Sequence, residues 1–397
     1  MWRAPAVVAA TLLGAASVQT LKDEIAARGV PRDAIVVAFE ADGAIFRFAA
    51  QAAGTAGPVA PRAHKLYQAL LGLKHKGAIA ADRDNTPKAR PPKTAIELLQ
   101  IALDPGAAER KAGCYELSAL YVAAARSVGL EAVGVERDEA AGTGQIGHVM
   151  AGVRVGAGAP LTLFDLQNET VGGKQMTHEL GDLELAAHHY NHRAVAAHLG
   201  GRYREALAEI DRALALAPES ASFRNNRATV LAALGEPALA AAEAAHAVER
   251  APAVPLYRYQ LGRLYLVQGE LQTAATTLAA ALALRPGYGL ARRDLGWTYL
   301  LAGDVVASER ELRRAVQDDP AAPEVELYLG LFLVSQRRDV EARAVATRAL
   351  TRHPGEASLQ ALLQLAGGAP AADPKVLGRL RAVLENVGAA KAQVLTP

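Results

Sequence analysis

Residues 252–286, PAVPLYRYQLGRLYLVQGELQTAATTLAAALALRP, decide the fold of the C-terminal half of this chain. The stretch begins and ends with proline and carries Gly269 near its middle. Leucine, tyrosine and alanine recur at helical spacing on both sides of that glycine. Because proline ends a helix and glycine suits the turn that follows one, the stretch predicts two helices joined by a turn.

The same unit recurs with a period of 34 residues over 187–356. Three sets of positions keep one phase: Pro218, Pro252, Pro286, Pro320 and Pro354; Gly201, Gly235, Gly269 and Gly303; Ala213, Ala247, Ala281, Ala315 and Ala349. A further alanine set, Ala206, Ala240, Ala274 and Ala342, has Ser308 at one place, and Arg337 stands at the fifth glycine place. Each unit leaves apolar faces that only its neighbours can cover, so the period predicts five stacked repeats with one continuous core.

Two of the units carry a more specific pattern. Leu261-Gly262 with Tyr265, and Leu295-Gly296 with Tyr299, resemble the tetratricopeptide repeat (TPR). The resemblance implies an all-α superhelix that binds a protein or peptide on its concave face, which the first helix of each repeat lines. Six residues are expected to be exposed there and to contact that partner: Asn191, Asn225, Tyr259, Arg263, Arg293 and Trp297. The alternative is that they are ordinary solvated or packing residues.

The two ends of the chain carry separate predictions. Residues 1–20 have an early arginine, a short apolar centre and a run of small residues, which is typical of a signal peptide. We therefore expect export to the periplasm or cell envelope, the alternatives being a first helix of the globular domain and a cytoplasmic protein. Residues 357–397 are expected to form capping helices and a tail. No apolar window approaches the roughly 20 residues of a membrane span, so no transmembrane segment is predicted.

Composition excludes several classes of function. The formal net charge is +2, which provides no broad attraction to nucleic acid. A single cysteine excludes an intrachain disulfide and a cysteine-based metal site. Residues 142–147 spell G-x-G-x-x-G without the strand before and helix after that a dinucleotide site needs. His188 and His192 have metal-ligand spacing but are interpreted as part of an ordinary polar helix, so no cofactor or metal is expected.

The single cysteine stands at the start of a predicted helix. Residues 111–130, KAGCYELSALYVAAARSVGL, place apolar side chains on one helical stripe and end at Gly129. Cys114 therefore lies where unpaired N–H groups and the helix macrodipole stabilise a thiolate. A buried cysteine that merely fills the core is the alternative.

A histidine and an aspartate follow on two predicted strands, 148–155 and 161–166. A hairpin between these strands brings Asp165 within a residue or two of the place opposite His148. An aspartate there can hold the imidazole in one tautomer and favour its charged form. Asn168 is the alternative to Asp165 in that role.

Three segments carry a second resemblance: the helix after Cys114 that ends in AAARSVGLEA, GHVMAGV, and LFDLQNE. Together they resemble the transglutaminase-like branch of the papain-like fold, whose triad runs Cys, His, Asp and matches Cys114, His148 and Asp165. The resemblance implies an α+β domain over 21–180 that performs acyl transfer or amide hydrolysis through a thioester. Fusion to TPR units is similar to a group of bacterial envelope proteins. The alternative function is a non-catalytic protein-interaction scaffold of the cell envelope.

Overall fold

The computed structural model of the protein describes residues 18–81, 90–137, 148–156, 159–172 and 177–367. Most of the predicted signal peptide, the segment 142–147 and the predicted tail after residue 367 lie outside these ranges. The chain divides into two compact units, with the boundary in the sequence between Val230 and Leu231. The first unit therefore includes the first predicted repeat as well as the predicted 21–180 domain.

The first unit contains several helices, one of which is buried. They are α1 (18–27), α2 (Gly43–Ala53), α3 (Val59–His75), α4 (Ala95–Leu103), α5 (Cys114–Ser127), α6 (Asp182–Leu199), α7 (Tyr203–Leu216) and the start of α8 (Ala221–Ala233). Helix α5 contacts α2, α3 and α4 as well as two strands of the sheet. Its alanines at 119, 123, 124 and 125 are buried, and side chains this small let the helix be covered on all sides.

A five-stranded antiparallel sheet forms the other layer of this unit. The main strands are β3 (Ala132–Arg137), β4 (Val149–Arg154), β5 (Leu161–Asp165), β6 (Thr170–Val171) and β7 (Thr177–Leu180), in the order β6-β5-β4-β3-β7. A separate short pair, β1 (Ala80–Ala81) and β2 (Lys111–Ala112), is parallel. Strand β4 pairs with β5 so that Ala151 faces Phe164. This register places the end of β5 beside the residue that precedes β4.

The core explains why the first repeat belongs to the first unit. Leu185 and Tyr190 of α6, Ile210 of α7 and Phe223 of α8 lie in the same apolar cluster as α5. The Tyr190 hydroxyl also accepts a hydrogen bond from Val36 N at 3.0 Å. The predicted domain limit at 180–187 thus marks where the repeat pattern begins, whereas the compact unit continues for about one repeat.

The second unit consists of further helix pairs. Its helices are α9 (Pro237–Arg250), α10 (Pro255–Gln268), α11 (Leu271–Leu284), α12 (Gly289–Leu301), α13 (Val305–Asp318), α14 (Pro323–Ser335), α15 (Asp339–Arg352) and α16 (Ala357–Ala366). Their bounds follow the 34-residue period, and α16 begins the predicted capping segment. Among the described helices of the chain, none combines the length and apolar character that crossing a bilayer requires.

The periodic residues occupy the positions that their chemistry predicts. All the alanines of the two periodic sets, and Ser308 among them, are fully buried. The four periodic glycines end a turn with φ between 72° and 84°, and Arg337 adopts φ 59° at the fifth place. A Cβ on Gly262 or Gly296 would lie 2.8 Å from Leu278 or Leu312, so these glycines allow two helices to approach closely.

Candidate functional site

Cys114 is the first residue of α5 and its side chain is nearly buried, with 8% of the residue exposed. The helix begins here because Gly113 is extended and its N–H donates to the Glu116 carboxylate at 2.6 Å. Ser118 Oγ, one turn further on, donates to Val149 O at 2.9 Å and fixes α5 against β4. The structure therefore places Cys114 at the N-terminus of a helix, as the sequence predicts.

His148 directly precedes β4, and its ring is hydrogen-bonded to Asp165. His148 Nε2 lies 2.7 Å from Asp165 Oδ2, and the residues are only 1% and 2% exposed. The pairing of β4 with β5 brings them together, as the predicted hairpin requires.

The turn after β5 holds the Asp165 carboxylate in place. Asp165 Oδ1 accepts from the backbone N–H groups of Gln167 and Asn168, each at 3.0 Å. Asn168 Nδ2 donates to Asp165 Oδ2 at 2.8 Å and lies 3.4 Å from His148 Nε2, so the residue considered as an alternative to Asp165 contacts both members of the pair. Lys74 Nζ donates to the carbonyls of Leu166 and Gln167, each at 3.0 Å, and ties this turn to α3. The carboxylate therefore has little freedom to turn away from His148.

Charge pairing controls the protonation of this pair. Burial by itself would lower the pKa of His148, but the Asp165 carboxylate and the Cys114 side chain outweigh it and raise the pKa to about 9. Burial would likewise raise the pKa of Asp165, and hydrogen bonds from His148 and Asn168 hold it below its ordinary value. At neutral pH the pair is an imidazolium and a carboxylate.

The second ring nitrogen of His148 is not bonded to Asp165. Nδ1 is buried and makes no well-aligned hydrogen bond, yet Cys114 is near enough to raise the His148 pKa. Cys114 is therefore close enough to His148 to affect its charge, and Asp165 is hydrogen-bonded to the same ring.

The histidines of α6 pack against the residue after Cys114. The His192 ring stacks on Tyr115 at 5.0 Å between centroids, and His188 Nε2 lies 3.7 Å from Glu136 Oε2. Burial lowers the pKa of His189 to about 3 and that of His192 to about 4. Within the described ranges no three side chains of His, Cys, Asp or Glu are grouped as a metal site.

The exposure predicted for the repeat residues is wrong for five of the six. Asn191, Asn225, Tyr259, Arg293 and Trp297 are buried, between 0% and 8% exposed, and only Arg263 is half-buried. The reason is packing between neighbouring helices. Asn191 Oδ1, for example, accepts from Asn226 Nδ2 at 2.8 Å.

Four of these residues, Tyr259, Arg263, Arg293 and Trp297, belong to a charged and aromatic cluster between α10, α12 and α14. Arg293 Nε donates to Asp294 Oδ1 at 2.6 Å, and its guanidinium lies 4.7 Å from the centre of the Tyr328 ring. Trp297 packs edge-on against Tyr328 at 5.1 Å. These side chains join successive repeats, and sequence periodicity alone did not distinguish that role from partner binding.

Comparison with known proteins identifies the repeats. The family described as "Tetratricopeptide repeat" matches residues 200–255, 259–323 and 302–357. No curated protein matches the chain at a significant level. The C-terminal part of the chain therefore consists of tetratricopeptide repeats, as predicted, and is a protein-interaction module.

Solved structures with some likeness include a repeat protein of the same kind. TTC0263 of Thermus thermophilus, a TPR protein, is 25% identical, with 45% of this chain and 98% of that chain covered and a TM-score of 0.41. PilF of Pseudomonas aeruginosa is 18% identical, with 54% and 100% covered and a TM-score of 0.42. MamA of Desulfovibrio magneticus RS-1 is 20% identical, with 45% and 98% covered and a TM-score of 0.38.

Proposed function

We propose that the first unit carries a thiol-dependent acyl-transfer or amide-hydrolysis site, and that the tetratricopeptide repeats bind the protein or peptide on which it acts. The observation that carries the proposal is the 2.7 Å contact between His148 Nε2 and Asp165 Oδ2, beside a cysteine at the first position of a helix. The resemblance of this region to the transglutaminase-like branch of the papain-like fold supports the same chemistry.

The chemistry divides into two steps. The Cys114 thiolate attacks the carbonyl carbon of an amide, and the carbon–nitrogen bond breaks as the His148 imidazolium gives its proton to the leaving amine. Water or a second amine then attacks the thioester, His148 accepts the proton of that nucleophile, and the thiolate is released. Asp165 holds the ring and stabilises its charged form in both steps. Backbone N–H groups at the start of α5 are the source of oxyanion stabilisation.

The second candidate function is a non-catalytic scaffold. It is favoured because protein interaction is the function that the family comparison supports, and because Cys114 is only 8% exposed. In this case the His148–Asp165 pair would serve to hold β4 against β5. Each unit would then act solely by binding protein.

An activated acyl ester distinguishes the two functions without knowledge of the natural substrate. On incubation with p-nitrophenyl acetate, the catalytic proposal expects acetylation of Cys114 and release of one equivalent of nitrophenolate in a burst. The acetyl group should be removed by hydroxylamine, as a thioester requires. The Cys114→Ser and His148→Ala variants should lose the burst. Absence of acetylation at Cys114 in the folded wild-type protein supports the scaffold.

Export is a separate proposal that rests on residues 1–20. We expect the mature chain in the periplasmic fraction, with an N-terminus later than Met1. Cell fractionation followed by N-terminal sequencing tests this, and an intact Met1 in the cytoplasmic fraction contradicts it.

A further inference from the structure

Glu116 is a buried carboxylate on the first turn of α5, two residues after Cys114. Its Oε2 accepts from Gly113 N at 2.6 Å and Arg90 Nη2 at 2.9 Å. Its Oε1 accepts from Arg90 Nη1 and Lys93 N, each at 2.8 Å. Four donors therefore fix this side chain, which is only 5% exposed.

Capping the helix does not by itself require this arrangement. Glu184 accepts from Gly181 N at 2.8 Å in the same way at the start of α6, at a solvent-exposed place. Burying a carboxylate is costly unless it is paired. At Glu116 the Arg90 guanidinium outweighs the effect of burial and holds the pKa of the carboxyl below its usual range. The chain thus maintains a buried ion pair where an exposed cap would have been sufficient.

The location of the Glu116–Arg90 ion pair indicates its structural effect on the residues around Cys114. The Gly113 N–H that Glu116 binds belongs to the residue before Cys114, so the carboxylate closes the backbone turn that carries the thiol. On the next turn, Ser118 Oγ is bonded to Val149 O, in the residue after His148. The Glu116 contact fixes the backbone at the start of α5, and the Ser118 contact fixes the position of α5 relative to the residue after His148.

We propose that Glu116, held by Arg90, is a positioning residue that keeps the Cys114 sulfur directed at the His148 imidazole. The proposal rests on the thiol chemistry proposed above. Loss of Glu116 should therefore act through His148 rather than on the cysteine alone.

A double-mutant cycle on the full chain tests this coupling. The measured quantity is the rate constant of Cys114 alkylation by iodoacetamide at pH 7 in wild type, Glu116→Gln, His148→Ala and the double variant. We expect His148→Ala to slow alkylation about tenfold or more in wild type, but less than about threefold in the Glu116→Gln background. Arg90→Met, a second variant for the case in which Glu116→Gln does not fold, should reduce the His148 effect in the same direction. Glu184→Gln is the matched control, since it makes the same change from carboxylate to amide at the equivalent cap of α6 and should leave that effect unchanged.

The possible outcomes distinguish failure of the positioning role of Glu116 from failure of the proposed thiol chemistry. If His148→Ala slows alkylation equally in wild type, Glu116→Gln and Arg90→Met, while circular dichroism shows folded variants, Glu116 is only a structural cap and the inference is overturned. If His148→Ala has no effect in wild type, the thiol site itself is refuted and the inference fails with it. A smaller His148 effect in both variants, with Glu184→Gln behaving as wild type, supports the positioning role.

Discussion

His148 Nε2 and Asp165 Oδ2 are 2.7 Å apart in a part of the first unit that excludes water almost completely. A buried pair of titratable groups with shifted pKa values is a candidate for a functional site. The pair forms where β4 and β5 are hydrogen-bonded, and Asp165 and Cys114 together raise the pKa of its histidine. Its properties give the most direct predictions.

Asp165→Asn should lower the pKa of His148. The carboxylate is a main reason that this pKa is about 9, whereas burial acts in the opposite direction. Without the charge we expect the pKa to fall below the ordinary histidine value of about 6.5. Titration of the imidazole resonances by NMR measures it. Asp182→Asn, which removes an exposed partner of Arg126, should leave the His148 titration unchanged. A His148 pKa that stays near 9 in Asp165→Asn would show that other groups set it.

The stability of the first unit should depend on the charge of His148. The folded-state pKa of about 9 lies above the unfolded value, so the stabilisation is complete below about pH 6.5 and is lost as the pH rises through 9. The difference in unfolding free energy between wild type and His148→Gln should therefore shrink by up to about 3 kcal/mol from pH 6 to pH 10. Pulse proteolysis in urea at each pH measures it. A difference that is constant over this range would contradict the ion pair.

Alanine at Gly262 or Gly296 should destabilise the second unit. The new Cβ would lie 2.8 Å from the Leu278 or Leu312 side chain, and overpacking of this kind costs roughly 1–3 kcal/mol. Urea unfolding followed by the fluorescence of Trp297, which is fully buried, measures the loss. Gly287→Ala is the control, because a Cβ there meets no atom within 4 Å, and it should change stability little. Equal stability of all three variants would refute the close approach of the helices.

Glycine at position 337 should stabilise the second unit. Arg337 adopts φ 59°, which the other repeats assign to glycine and which costs a residue with a side chain on the order of 1 kcal/mol. Arg337→Gly should therefore raise the unfolding free energy by about that amount, and Arg337→Ala should not. The same urea experiment tests both. A loss of stability in Arg337→Gly would mean that the arginine side chain makes a contact worth more than the strain.

The repeats could be predicted from sequence because one physical constraint recurs every 34 residues. Small residues are needed where helices touch and glycine is needed where the chain turns, and each appears in phase. The position of Cys114 at a helix start could be predicted from the apolar stripe that follows it, and the closeness of His148 and Asp165 from the pairing of two strands. These features depend on local pattern and on short connections.

Other features depend on contacts that leave no periodic signal. Glu116 and Arg90 are 26 positions apart, and nothing in the intervening sequence indicates a bidentate pair. The burial of Trp297 against Tyr328 depends on how neighbouring repeats stack. A residue expected to be exposed on the concave face is therefore buried between helices. One further contact does recur in the sequence, as an arginine six residues after a repeat proline. Arg224 donates to Pro218 O at 3.0 Å, and Arg258 and Arg292 donate to Pro252 O and Pro286 O in the same way. This spacing could have predicted that these arginines contact the turn before their own helix.

Alkylation of Cys114 as a function of pH tests the central claim most directly. We measure the rate constant with iodoacetamide in wild type and His148→Ala between pH 5 and pH 10, with His75→Ala as the control. His75 is an exposed histidine paired with Glu169 at 3.1 Å, and its removal should leave the profile unchanged. The account predicts that at pH 7 the wild-type thiol reacts about tenfold or more faster than in His148→Ala. A thiol that is unreactive in the folded protein, or that reacts equally with and without His148, would contradict it.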